Sequence, residues 1–161
     1  MEGVSVNMIA QGLAATLSDA LGLPLDKDIV QVTRAGHTGS SGWKRLGSPA
    51  LFAGAVEPGR GYWLVDDFIG QGGTLANLRG YLLAKGGAFA GTTVLTGKPY
   101  SAILGLSVET LAQLRRKHGK LEQWWRERFG FGLESLTDSE ARYLLRAEDA
   151  DTIRARLADA E

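Results

Sequence analysis

Cysteine is absent from this chain of 161 residues, which excludes disulfides, thiolate metal sites and cysteine nucleophiles. Histidine occurs only as His37 and His118, too few for a histidine-based zinc site. Excess charge is absent too: Lys+Arg and Asp+Glu each total 18, so no overall basic field recruits nucleic acid or a membrane surface. No apolar run is long enough to span a bilayer. The first residues carry no basic stretch ahead of an apolar core, and Asp19 interrupts the first apolar segment, so no signal peptide and a cytoplasmic location are expected. What remains is ordinary for one globular domain, with 44% hydrophobic and 22% charged residues. Proline is scarce at 4 against 22 glycines, a balance that suits an α/β chain with several tight turns.

Met8 to Leu21 places Ile9, Leu13, Leu17 and Leu21 at helical spacing, and Gly22 and Pro24 end that helix. Asp28 to Thr33 reads as a strand, and Arg34 to Pro49, rich in Gly, Ser and Thr, reads as a loop. Tyr62 to Val65 reads as a buried strand, Thr74 to Lys85 as a helix stopped by Gly86-Gly87, and Ala88 to Leu95 as the next strand. This alternation predicts a parallel sheet joined by crossovers, with ligands outside the carboxyl ends of its strands. After Thr96 four helices are expected: Ser107 to His118, Leu121 to Phe129, Asp138 to Arg146 and Asp151 to Ala158. Thr137 to Glu140 forms a capping box for the third. Trp124-Trp125 suits packing between the helices, and the arginines from Arg142 to Arg156 suit solvated faces.

The segment from Tyr62 to Leu75 carries the chemistry. An apolar run ends in Asp66 and Asp67, and after Phe68-Ile69 the turn Gly70-Gln71-Gly72-Gly73-Thr74 opens a helix. Free backbone N–H groups and the helix dipole converge at such a turn and favour a phosphate. The carboxylates beside it suit hydroxyls or a hydrated Mg²⁺. The chain has no Gly-x-x-x-x-Gly-Lys-Ser/Thr loop and no Gly-x-Gly-x-x-Gly helix opening after a strand.

This stretch resembles the 5-phosphoribosyl-1-pyrophosphate (PRPP) motif of type I phosphoribosyltransferases. Val32-Thr33-Arg34, Thr38, Arg45 and Phe52 resemble the corresponding positions of the ComF proteins of that superfamily. The resemblance implies an α/β, Rossmann-like parallel sheet flanked by helices over residues 1–104, with a helical C-terminal extension or cap over 105–161. It implies a glycosyltransferase of nucleotide metabolism that binds PRPP with Mg²⁺. That enzyme would transfer the phosphoribosyl group to an unidentified small-molecule nitrogen acceptor and release pyrophosphate. Asp66 and Asp67 would be its catalytic and metal-binding residues, stabilising an oxocarbenium-like state. Asp66, Asp67, Gly70, Gln71, Gly72, Gly73 and Thr74 would hold PRPP. Arg34, Lys44, Arg45 and Lys98 would face pyrophosphate, with Gly36 to Ser48 as a lid.

Gln71 stands where the family more often has Thr, and Gly70 where 6-oxopurine transferases have a carboxylate, which argues against hypoxanthine or guanine as acceptor. The family also carries an earlier strand and pyrophosphate loop, for which Met1 to Asn7 is too short. The alternative is therefore a non-catalytic PRPP- or nucleotide-sensing module, or a protein-interaction domain, of the same fold. Homodimers are common in the family, and no motif here specifies one.

Overall fold

A computed structural model describes residues 7–33, 42–97 and 104–159, without the side chain of Arg45. The first helix, α1 (Met8–Leu21), begins at Asn7, whose side chain accepts from the N–H groups of Ile9 and Ala10. It ends at Gly22, whose φ of 65° turns the chain left-handed and returns its N–H to the Ser18 carbonyl. No residue of α1 is fully buried. It leans on β3, with Leu13 and Leu17 half-buried while Ile9 and Leu21 stay exposed. The expected apolar stripe is thus only partly covered.

The expected strand Asp28 to Thr33 shrinks to β1 (Val30–Gln31), which pairs antiparallel with β2 (Phe52–Ala53). Thr33 explains part of that choice. Its hydroxyl donates to the Pro49 carbonyl at 3.1 Å and accepts the Leu51 N–H at 2.8 Å, and the Val32 N–H reaches the Leu51 carbonyl at 2.8 Å. These bonds commit the segment to the chain that follows it instead of to β3. The expected loop between them contains the helix α2 (Gly42–Gly47).

The parallel pair is β3 (Gly61–Ile69) and β4 (Ala88–Gly97), aligned from Gly61↔Ala88 to Ile69↔Gly97. Parallel strands need a long connection, and α3 (Gly73–Ala84) supplies it. Leu75 and Leu82 of α3 pack with Tyr62, Leu64, Ile69 and Leu104 in one apolar cluster. The Tyr62 hydroxyl accepts the Glu57 N–H at 3.0 Å, so its polar tip is satisfied at the edge of that cluster. The fold is thus mixed α/β with a small two-stranded parallel sheet and several helices. Among the described residues the larger Rossmann-like transferase sheet expected from the sequence is not shown: β1 pairs with β2 and does not extend the β3–β4 sheet.

The remaining helices are α4 (Val108–His118), α5 (Leu121–Phe129), a 3-10 turn (Leu133–Ser135), α6 (Asp138–Leu145) and α7 (Ala150–Ala158). Ser107, Thr137 and Asp149 cap α4, α6 and α7 with their side chains. The Thr137–Glu140 capping box is present in both halves. Trp125, 1% exposed, sits among Leu114, Leu121, Leu133, Leu144, Ile153 and Leu157, with Phe129 at 4.6 Å between ring centroids. Leu46 of α2 joins this second cluster, and Trp43 packs on Tyr143 at 5.0 Å. Outside it, Arg115 forms a two-point hydrogen-bonded pair with Glu122, at 2.8 and 2.6 Å. The two clusters meet where Gly80 of α3 lies against Ser135 and Phe131. Among the described residues no helix is long and apolar enough to cross a membrane.

Candidate functional site

Asp66 and Asp67 lie within β3, which continues to Ile69, and not at a strand end. The Asp67 N–H donates to the Asp66 carboxylate at 2.9 Å. Burial pushes the Asp66 carboxyl up to about 6, against the Asp67 backbone bond, with the neighbouring Asp67 carboxylate adding to the rise. Burial also acts to raise Asp67, but hydrogen bonds from the side chains of Asn7 and Asp66 and from nearby backbone outweigh it and leave Asp67 lowered. The pair therefore divides its roles, with Asp66 as the weaker acid and Asp67 as the standing carboxylate. Asn7 was not singled out from the sequence. Its residue type and place before α1 signal a cap, but nothing local signals its reach to Asp67.

The turn that follows is held by packing. Gly72 is buried, has φ 80° and caps α3 with its carbonyl, which accepts the Ala76 N–H at 2.9 Å. A Cβ on Gly72 would come within 2.7 Å of Leu104 Cδ2. A Cβ on Gly73 would come within 2.6 Å of Glu140 Oε1. A carboxylate of α6 thus lies against the first turn of α3, the place expected to receive a phosphate. Burial raises the Glu140 carboxyl above its ordinary range. A hollow of about 160 Å³ beside it is lined by Gly42, Leu46, Gln71, Ser139, Glu140 and Tyr143. Thr74 is half-buried inside the helix and is not its cap. Gly70 and Gln71 lie in the bend between β3 and α3, with Gln71 exposed.

Of the expected pyrophosphate residues, only Lys44 has a described side chain. Lys44 is exposed on α2 and Arg45 belongs to the same helix, which replaces part of the expected lid. Arg34 and Lys98 lie outside the described residues, as do His37, Thr38 and Ser101. Among the described residues no group of three or more Asp, Glu or His could hold a metal ion.

A larger cleft of about 410 Å³ opens elsewhere, between α1, β3 and α3. Leu17 and Leu21 line one wall, and Tyr62, Leu64, Leu78 and Leu82 line the other. Trp63, Val65 and Thr93 line the same cleft. Side chains alternate along a strand, so Trp63 of β3 and Leu95 of β4 project on the face opposite Leu64 and Val94. They are 54% and 64% exposed. The Trp63 indole N–H donates to Thr93 Oγ1 at 2.8 Å, and a Cβ on Gly91 would meet its ring at 2.9 Å. The ring thus lies across β4 in a fixed pose.

No family model matches the chain, and no solved structure matches it. The chain is 38% identical to Protein TraN of Escherichia coli over 161 residues, which is 99% of this chain and 36% of TraN. It is 43% identical to an uncharacterized protein of Haemophilus influenzae over 84 residues, 52% of this chain and 19% of that protein. The chain therefore spans about a third of the length of TraN. These likenesses overturn the phosphoribosyltransferase reading. A relative that matches nearly the whole chain carries the name TraN, and nothing supports PRPP binding, phosphoribosyl transfer, a glycosyltransferase class or a place in nucleotide metabolism.

Proposed function

We propose that this chain is a non-enzymatic binding module of a TraN-type, conjugation-related protein, and that it docks a protein segment on the Trp63 face of its β3–β4 sheet, at the cleft bordered by α1. The observation that carries the reading is Trp63. It is a large aromatic, half-exposed, yet its ring is already held by Thr93 and seated over Gly91. A contact residue fixed in advance loses little side-chain entropy on binding, and Trp is the residue type most enriched at the energetic centres of interfaces. Leu95, 64% exposed, extends the apolar surface. The partner of this reading is the rest of a TraN-type polypeptide, since this chain matches only about a third of TraN.

The test supplies the remaining part of Escherichia coli TraN in trans and measures binding by calorimetry. The wild-type chain should bind, and Trp63→Ala with Leu95→Ser should weaken binding at least about tenfold. Arg142→Ala, on the helical side, serves as the control and should bind as wild type does. Absence of binding by the wild type, or equal binding by the double variant, would sink the reading.

A further inference from the structure

His118 ends α4 and is 1% exposed, and neither of its ring nitrogens has a hydrogen-bond partner. A neutral imidazole tolerates such a site at some cost, whereas an imidazolium does not, because a buried charge needs a partner. The ring sits where α4 packs on α6 and close to the start of α7. Two charges act on it. Lys117, on its own helix, opposes protonation; its ammonium group is tied to the Leu145 carbonyl of α6 at 2.8 Å. Asp149, at the start of α7, favours protonation, as does the backbone of Leu144 in α6. Burial dominates and holds the imidazole below its ordinary range.

Asp149 already has a structural task. Its carboxylate accepts the Thr152 N–H at 2.7 Å and caps α7. The bonds to Thr152 hold its carboxyl below the ordinary range. It is a standing anion whose charge acts on His118, and pairing with the ring would compete with the cap. Beyond that cap, α7 is held by the buried Ile153 and Leu157 and by Arg154, whose guanidinium donates to the Lys120 carbonyl at 2.8 Å while its Nε is buried without a partner.

We propose that His118 and Asp149 form an acid-sensitive latch: protonation of His118 draws the Asp149 carboxylate from Thr152 and undocks α7 from α2, while the β3–β4 unit stays folded. The latch is independent of the docking surface on the sheet. It gives the chain two states of its helical part, one closed near neutral pH and one with Ile153 and Leu157 uncovered.

Amide exchange of the full chain, converted to protection factors so that the intrinsic pH effect cancels, tests this directly. Between pH 7.5 and 5.0 the amides of Ala150–Ala158 should lose protection at least tenfold, while those of β3 and β4 keep theirs. The His118→Leu variant should hold α7 protection flat over that range. Equal loss in His118→Leu, or no loss in the wild type, overturns the latch. Should that variant not fold, the wild-type imidazole titration by NMR decides, since only His37 and His118 contribute signals. Titration of His118 below the ordinary histidine range, coincident with the loss of α7 protection, supports the latch. Titration at the ordinary value, or without any change in α7, overturns it.

Discussion

Glu140 lies against Gly73: a Cβ added at Gly73 would stand 2.6 Å from Glu140 Oε1. The contact joins the first turn of α3 to the first turn of α6. Glu140 is not free to give way, because its other carboxylate oxygen accepts the Thr137 N–H at 2.8 Å as half of a capping box. A glycine that reads as space for a phosphate is, in the folded chain, space for a side chain of the same protein.

Gly73→Ala should therefore destabilise the chain by about 1–2 kcal/mol, although alanine ordinarily favours a helix over glycine by roughly 0.5–1 kcal/mol. In a Glu140→Ala background the same substitution should cost less or become favourable. The double-mutant cycle by urea denaturation should return a coupling of about 0.5 kcal/mol or more. Additive costs would show that the two side chains do not compete for one space.

Asp66 offers a pH test. Its carboxyl is raised in the fold to about 6 from an ordinary 3.8, chiefly by burial. A raised folded value means that the native state favours the protonated form. The stabilisation is complete below the ordinary value and is lost as pH rises through about 6. Asp66→Asn keeps the acceptor for the Asp67 N–H and cannot ionise. It should stabilise the chain at pH 7 by about 1 kcal/mol, discounted for partial solvent access, and change little at pH 4. An equal effect at both pH values would contradict this.

Gly80 is the second close approach. A Cβ there would stand 2.5 Å from Ser135 Oγ and 2.8 Å from Ser135 Cβ. Gly80→Ala should cost about 1–3 kcal/mol in urea denaturation, the penalty of overpacking. A gain in stability would mean that the α3 to 3-10 contact is looser than described. Gly80→Ala with Ser135→Gly should recover most of the loss.

Trp125 separates volume from polarity. It is 1% exposed, and its Nε1 has no hydrogen-bond partner. Trp125→Ala should cost about 3–5 kcal/mol through the cavity left among the surrounding leucines. Trp125→Phe should cost a fraction of that, because it keeps an aromatic body and removes an unpaired N–H. Thermal denaturation of the two variants checks the order, and similar losses would refute it.

Much of the local structure was legible because it rests on short-range rules. The helix over Met8 to Leu21 follows from apolar spacing and Gly22, and it runs over those residues. The α6 box follows from Thr137 and Glu140 three residues apart. β3, α3 and β4 occur in the expected order because an apolar run, a glycine turn and a helix stop at Gly86-Gly87 are each local signals. The Asp pair was visible, but its division into a weak acid and a standing carboxylate was not. That division depends on burial and on Asn7, which is remote in sequence.

The amino-acid sequence by itself determined the long helices, β3 and β4, the α6 capping box and the absence of cysteine chemistry, since these depend on residue type and on neighbours within a few positions. Tertiary structure alone decided three things. Thr33 bonds to Pro49 and Leu51, so β1 pairs with β2, and among the described residues the parallel sheet has two strands. Glu140 of α6 meets Gly73 of α3, so the glycine turn serves packing between distant helices. Trp63 is held over Gly91 and Thr93 at the cleft bordered by α1 instead of joining the core. Each joins residues at least 16 positions apart, and no local pattern reveals which distant side chain will fill a given space.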